Sequence, residues 1–185
     1  MIFKTKNKSF NLADKTLVMG ILNVTPDSFS DGGKYNSVNS AVERALKIQS
    51  EGADILDIGG QSTRPGFLKI SPAEEFKRLE EVLLNLKGKF KIPISIDTFY
   101  PEVAEECMHL GAEIINDVSG TTNREMINVA KNHRCGLIIT HNENNTNIRD
   151  FFKKKLRECL DLGLESDCLC FDPGIGFSKN QDQDA

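Results

Sequence analysis

Six short, almost uninterrupted apolar runs recur along the chain at roughly 30-residue intervals, the size of one strand-plus-crossover step. They run from Thr16 to Leu22, Ile55 to Ile58, Ile94 to Ile96, Ile114 to Ile115, Leu137 to Ile139 and Cys168 to Phe171. A strand with one wet face alternates apolar and polar residues. A run that is apolar throughout belongs to a covered, parallel sheet. Helical stretches separate the runs. Ser37 to Glu51 places Val38, Ala41, Val42, Ala45 and Ile48 on one stripe. Ser71 reads as an N-cap, with Pro72 at the first helical position and Glu74 at capping-box spacing. That helix carries Phe76, Leu79, Val82, Leu83 and Leu86 and stops at Gly88. Three more run from Pro101 to Gly111, from about Asn123 to Asn132, and from about Ile148 to Leu162, with Gly163 as a stop.

The repeating unit is therefore strand, loop, helix, turn. Right-handed crossovers make this a parallel α/β array. A closed (β/α)8 barrel takes about 250 residues and eight strands. This chain has 185 residues and six predicted strands. Two architectures fit: an open doubly wound sheet, or a fold of the (β/α)8 TIM-barrel type truncated to about six β/α units.

Composition removes several function classes. The chain is 39% hydrophobic and 27% charged, close to globular averages, which excludes disordered and fibrous classes. It holds 23 Lys and Arg against 27 Asp and Glu, interspersed, for a net charge of −4. A nucleic-acid binder would carry a basic surplus. No run approaches the ~20 apolar residues of a membrane span, and the N-terminus lacks the apolar core of a signal peptide. Cys107, Cys135, Cys159, Cys168 and Cys170 form no CxxC pair. Reduced, packed thiols and a cytoplasmic location are the expectation.

Polar residues cluster at the C-terminal ends of the six runs: Asn23 to Gly33, Asp57 to Gly66, Asp97-Thr98, Asn116-Asp117, Thr140-His141-Asn142 and Asp172 to Lys179. In a parallel β/α fold these ends share one face, where ligands bind. Asp97, Asn116 and Asp172 offer acceptors, and Asn116 also donors. Buried carboxylates need donors to meet, which a planar heterocycle rich in N–H groups supplies. Ser62, Thr63 and Arg64 stand on a Gly-rich loop beside a helix start, as phosphate donors do. Asn23 supplies a neutral hard oxygen suited to Mg2+.

These stretches resemble a known family. Val18 to Gly33, VMGILNVTPDSFSDGG, is similar to the first signature of bacterial dihydropteroate synthases, and DIGGQSTRPG from Asp57 to Gly66 to the second. Ile94 to Thr98, Ile114 to Asp117 and Phe171 to Asn180 resemble later ones. The likeness spans about Val18 to Asn180, so residues 1–185 read as one pterin-binding domain, incomplete at its C-terminus. It implies a transferase of folate synthesis on a (β/α)8 barrel. The enzyme joins 6-hydroxymethyl-7,8-dihydropterin diphosphate to 4-aminobenzoate, giving 7,8-dihydropteroate and diphosphate. It implies Mg2+ as cofactor with Asn23 as ligand, and Thr63 on the pterin diphosphate. Ser62 and Arg64 fall at the aminobenzoate and sulfonamide end. Asp97, Asn116 and Asp172 hold the pterin ring, and Gly176 and Phe177 line the wall between the substrates. Asn23, Thr63, Asp97 and Asp172 form the expected catalytic set. His141 reads as a positional residue. A homodimer is also implied, with no nucleic-acid or membrane partner.

Gln61 departs from the family's usual Glu, Thr140 and Asn142 from its usual methionines, and Ser178 from its usual Gly. The Ser-Arg-Lys motif of the family's seventh strand and the Arg-x-His pair after its eighth are not in this sequence. Each lost cation is expected to remove on the order of 2–4 kcal/mol of transition-state stabilisation. Unpaired edge strands are expected to promote self-association. Two other readings stand beside the enzyme: a pterin-binding module without synthase activity, like that of methyltetrahydrofolate methyltransferases, and an inactive fragment.

Overall fold

The computed structural model describes residues 1–25, 33–61, 69–120, 122–142 and 147–175. Its first elements lie outside the predicted pattern. Strands β1 (Ile2–Lys4) and β2 (Ser9–Asn11) form an antiparallel hairpin. The six predicted strands follow as β3 (Met19–Asn23), β4 (Ile55–Gly59), β5 (Ile94–Asp97), β6 (Ile114–Asp117), β7 (Gly136–Thr140) and β8 (Leu169–Asp172). Between them run α1 (Gly33–Ser50), α2 (Pro72–Leu86), α3 (Pro101–His109), α4 (Arg124–His133) and α5 (Ile148–Asp161).

Strand order separates the two candidate architectures. The sheet runs β3-β4-β5-β6-β7-β8, every pair parallel and every strand beside its chain neighbour. A doubly wound sheet reverses its order at a switch point. Here there is no reversal, so right-handed crossovers carry the helices to one face and the sheet forms a barrel wall. Among the described residues, β3 and β8 each pair on one side only.

Side chains alternate across this wall. Leu22, Leu56, Ile58, Ile96, Ile115, Leu137 and Ile139 point outward into the main core, against the buried stripes of the helices. Ile55, Ile114 and Ile138 point inward, where Phe3 of the hairpin packs among them. A Cβ on Gly136 would stand 2.8 Å from the Phe3 ring, so a side chain there would push the plug aside. Thr5 Oγ1 donates to Glu113 Oε2 at 2.7 Å and locks the hairpin to the turn before β6. The hairpin thus fills the inner space at the N-terminal end of the wall. The inward Ile21, on β3, remains 65% exposed.

Local signals behave as the sequence suggests, with adjustments. Ser71 Oγ accepts from Glu74 N at 3.2 Å, but the Glu74 carboxylate turns to Arg78 instead of closing the capping box. Gly88, Gly111 and Gly163 take positive φ at the expected helix stops. The first helix begins at Gly33, four residues before the Ser37 start read from periodicity. The first sheet strand is shorter than its apolar run and begins at Met19. Cys168 lies in a 3-10 turn, Ser166–Cys168, so it does not share a strand face with Cys170.

Candidate active site

The strand register assembles the site. Asn23, Gly59, Asp97 and Asn116 occupy one row, each opposite the next, at the C-terminal ends of β3 to β6. All four face the inner side. A Cβ on Gly59 would stand 3.3 Å from Asn23 Oδ1 and 3.4 Å from Asp97 Oδ2, so glycine lets these two side chains converge over it. Gly60 serves the other face: a Cβ there would lie 3.0 Å from Glu75 Cγ and 3.1 Å from Glu75 O, against α2.

One step deeper lies Asp57, only 4% exposed. Asn116 Nδ2 donates to its Oδ2 at 3.1 Å. Burial raises the Asp57 pKa, while the hydrogen bond from Asn116 opposes the rise. Asp97 is perturbed further. Its pKa is pushed up to about 8, first by burial and then by repulsion from Asp57, Glu75 and Asp117. Its Oδ1 is buried and meets no hydrogen-bond partner among the described residues. A buried carboxyl oxygen without a donor is costly. The row therefore presents acceptor capacity that a ligand's N–H groups would satisfy.

Asp172 joins from β8, opposite Thr140. Its Oδ1 accepts from Gly174 N at 2.8 Å, and Thr140 Oγ1 lies 3.5 Å from Oδ2. His141 donates its backbone N–H to Asp172 O at 2.8 Å, and its ring packs edge-on against Phe151 at 4.9 Å. It is 2% exposed, an environment that positions the β7 end.

Thus Asn23, Asp97, Asn116 and Asp172 all sit at the strand ends of one wall. The first three share a row and Asp172 stands one inward step beyond it. Ser62, Thr63, Arg64, Gly176, Phe177 and Ser178 lie outside the described residues. Two further acidic residues, Asp57 on the inner side and Glu75 behind the wall, act on Asp97 by charge. Asp57 was visible as a strand-end carboxylate. Glu75 was hidden beside the capping position: its spacing to Leu79, Val82 and Leu86 puts it on the buried stripe, where Phe76 had been expected. It is 1% exposed, and burial raises its pKa to about 7, opposed by a hydrogen bond with Thr98 and by the Arg78 charge.

The pterin-binding enzyme family matches residues 19–185. A dihydropteroate synthase of Clostridium beijerinckii is 41% identical over 188 residues, which cover 97% of this chain and 70% of that protein. The chain belongs to the dihydropteroate synthase family. Solved dihydropteroate synthases agree in fold. One from Clostridium difficile, in the presence of pteroic acid, superposes with a TM-score of 0.89 at 41% identity, covering 95% of this chain and 70% of that one. One from Xanthomonas albilineans with 4-aminobenzoic acid gives 0.90 at 34% identity, covering 99% and 70%. The chain spans 65% of the length of the Bacillus subtilis dihydropteroate synthase, to which it is 40% identical.

The departures from the dihydropteroate synthase pattern have local partners. Gln61 Oε1 accepts from Ile70 N at 2.7 Å, tying the two ends of the 61–70 segment together. Asn142 Nδ2 donates to Val118 O at 3.1 Å. Thr140 is fully buried beside Asp172. Each of the three thus has a partner within the protein, although Gln61 Nε2 is buried without one among the described residues.

Proposed function

We propose that this chain condenses 6-hydroxymethyl-7,8-dihydropterin diphosphate with 4-aminobenzoate to 7,8-dihydropteroate. The observation that carries this reading is Asp97: a partly exposed carboxyl, with one buried oxygen that meets no partner among the described residues, at the centre of the Asn23–Gly59–Asp97–Asn116 row. The ring N–H groups of a dihydropterin are the donors such a group lacks. Related synthases solved with pteroic acid, 4-aminobenzoic acid and 7,8-dihydropteroate support the choice of ligands.

In the reaction the aminobenzoate nitrogen forms a C–N bond to the pterin methylene carbon. The C–O bond to diphosphate breaks, its electron pair leaves with diphosphate, and the amine proton passes to solvent or product. The aromatic amine is already nucleophilic, so no activated Ser, Cys or Lys is needed. Positive charge grows on the pterin methylene as the C–O bond lengthens. Carboxylates of Asp97 and Asp172, fixed before the reaction, stabilise that charge electrostatically. Asn116 and Asp57 hold the row in place, with Asn116 also reading the ring. Ser62, Thr63 and Arg64 would contact diphosphate and aminobenzoate, and Gly176 and Phe177 would separate the two substrates.

The donor set at Asn23 consists of hard oxygens, its own carboxamide beside the Asp97 carboxyl, which fits Mg2+ arriving with the diphosphate. Asn23 would hold the ion, and bound Mg2+ would neutralise the departing diphosphate. Five free cysteines, four of them buried, fit a reducing cytoplasm as the setting. A homodimer and competition by sulfonamides at the aminobenzoate end complete the reading.

Calorimetry tests it. The pterin diphosphate should bind in the presence of Mg2+, 4-aminobenzoate should bind only to that complex, and Asp97→Asn should weaken the first step. Equal pterin affinity in Asp97→Asn would overturn the assignment. Pterin binding without any aminobenzoate binding would reduce the chain to a binding module.

A further inference from the structure

On the outer, helical layer, α3 and α4 end side by side. Each runs back from the strand C-terminal ends, so their last turns lie at the opposite end of the wall from the candidate active site. There Glu105 and His109, four residues apart on α3, meet His133 in the last turn of α4. Glu105 Oε1 lies 2.8 Å from His133 Nε2 and 3.2 Å from His109 Nε2. The two imidazole rings stand edge to face with centroids 4.9 Å apart. One ligand atom from each of the three residues falls within 4.8 Å of the others. The His133 side chain is 11% exposed and held by packing, Glu105 is 38% exposed, and His109, at 62%, is free to adjust.

We propose that Glu105, His109 and His133 bind a divalent transition-metal ion of the zinc class, which fastens α3 to α4. Two imidazoles and one carboxylate are a ligand set that suits Zn2+ and its neighbours and leaves a position for water. Metal–ligand bonds of about 2.0–2.2 Å need the three atoms to share one centre, and the exposed His109 ring would have to turn to close the set. The carbonyl ends of two helix dipoles meet at the same place and favour positive charge. This ion is separate from Mg2+ in both ligand type and location.

The test uses the whole chain, stripped of metal by a chelator and then titrated with Zn2+ against a chromophoric competitor. One ion per chain and a raised melting temperature are expected. Because His109 is exposed and its contacts are weak, His109→Ala should change the metal-free melting temperature little while weakening Zn2+ binding by more than about tenfold and removing the thermal shift. His133→Ala should weaken binding similarly. Co2+ in place of Zn2+ should show visible d–d bands without a thiolate charge-transfer band. The proposal fails if no saturable binding occurs below about 1 mM. It also fails if His109→Ala binds as the parent does, or if the cobalt spectrum reports a thiolate ligand, since the ion then sits elsewhere.

Discussion

Asn116 reaches across β5 to donate a 3.1 Å hydrogen bond to the buried carboxylate of Asp57. It spans two strands because Asn116 stands one inward step above the Asp57 row. This bond ties the row of strand-end polar groups to the carboxylate beneath. Replacing Asn116 with Leu keeps the volume and removes the donor. The expected cost is about 1–3 kcal/mol of stability, from a buried carboxylate left under-satisfied, together with loss of pterin affinity. Denaturant melts and calorimetry on the same variant measure both.

Asp97 is expected to make pterin binding pH-dependent. Its pKa near 8 means that it is largely protonated at neutral pH before the ligand arrives. Ring N–H donors favour the ionised form, so binding releases a proton. Affinity should therefore fall as pH drops below about 8, by up to tenfold per pH unit. Calorimetry in buffers of different ionisation enthalpy reads the released proton directly. Asp97→Asn should abolish this linkage.

Glu75 opposes folding in its ionised form. Its folded pKa, about 7, lies above the ordinary 4.5, so the folded protein holds this proton more tightly than the unfolded chain. Its contribution is most favourable below about pH 4.5 and is lost as pH rises towards 7. That rise corresponds to at most about 3 kcal/mol. Glu75→Gln removes the penalty and can still hydrogen-bond Thr98. It should raise the melting temperature in mildly alkaline buffer and change it little in mild acid.

Phe3 tests the hairpin plug. It is 4% exposed among Ile55, Ile114 and Ile138. Phe3→Ala should cost about 3–5 kcal/mol by opening a cavity at the N-terminal end of the wall. Chemical denaturation gives the value. Loss of less than about 1 kcal/mol would mean that the hairpin does not seal that end.

Much of this was legible in the chain. Ser71-Pro72 and Gly88 bounded α2 because caps and stops are local chemistry. The six apolar runs announced the parallel strands because burial on both faces leaves no room for alternation. Asn23, Asp97, Asn116 and Asp172 stood out because polar groups follow strand ends. The hairpin was not legible: three-residue strands carry too little periodicity, and Phe3 has meaning only once the inner face exists to receive it. Glu75 was hidden for a related reason, since a carboxylate on an apolar stripe is recognised only when the surface it packs against is known.

The sequence by itself determined the alternation of strand and helix, the helix ends and the chemical identity of the strand-end polar groups, all of which depend on neighbours a few residues away. Only the tertiary structure decided that the strands follow one another without reversal and that Asn23, Gly59, Asp97 and Asn116 fall in a single row. Register and strand order arise from contacts between segments tens of residues apart. The same contacts bring Asp57, Glu75 and Asp97 near one another and raise the pKa of all three.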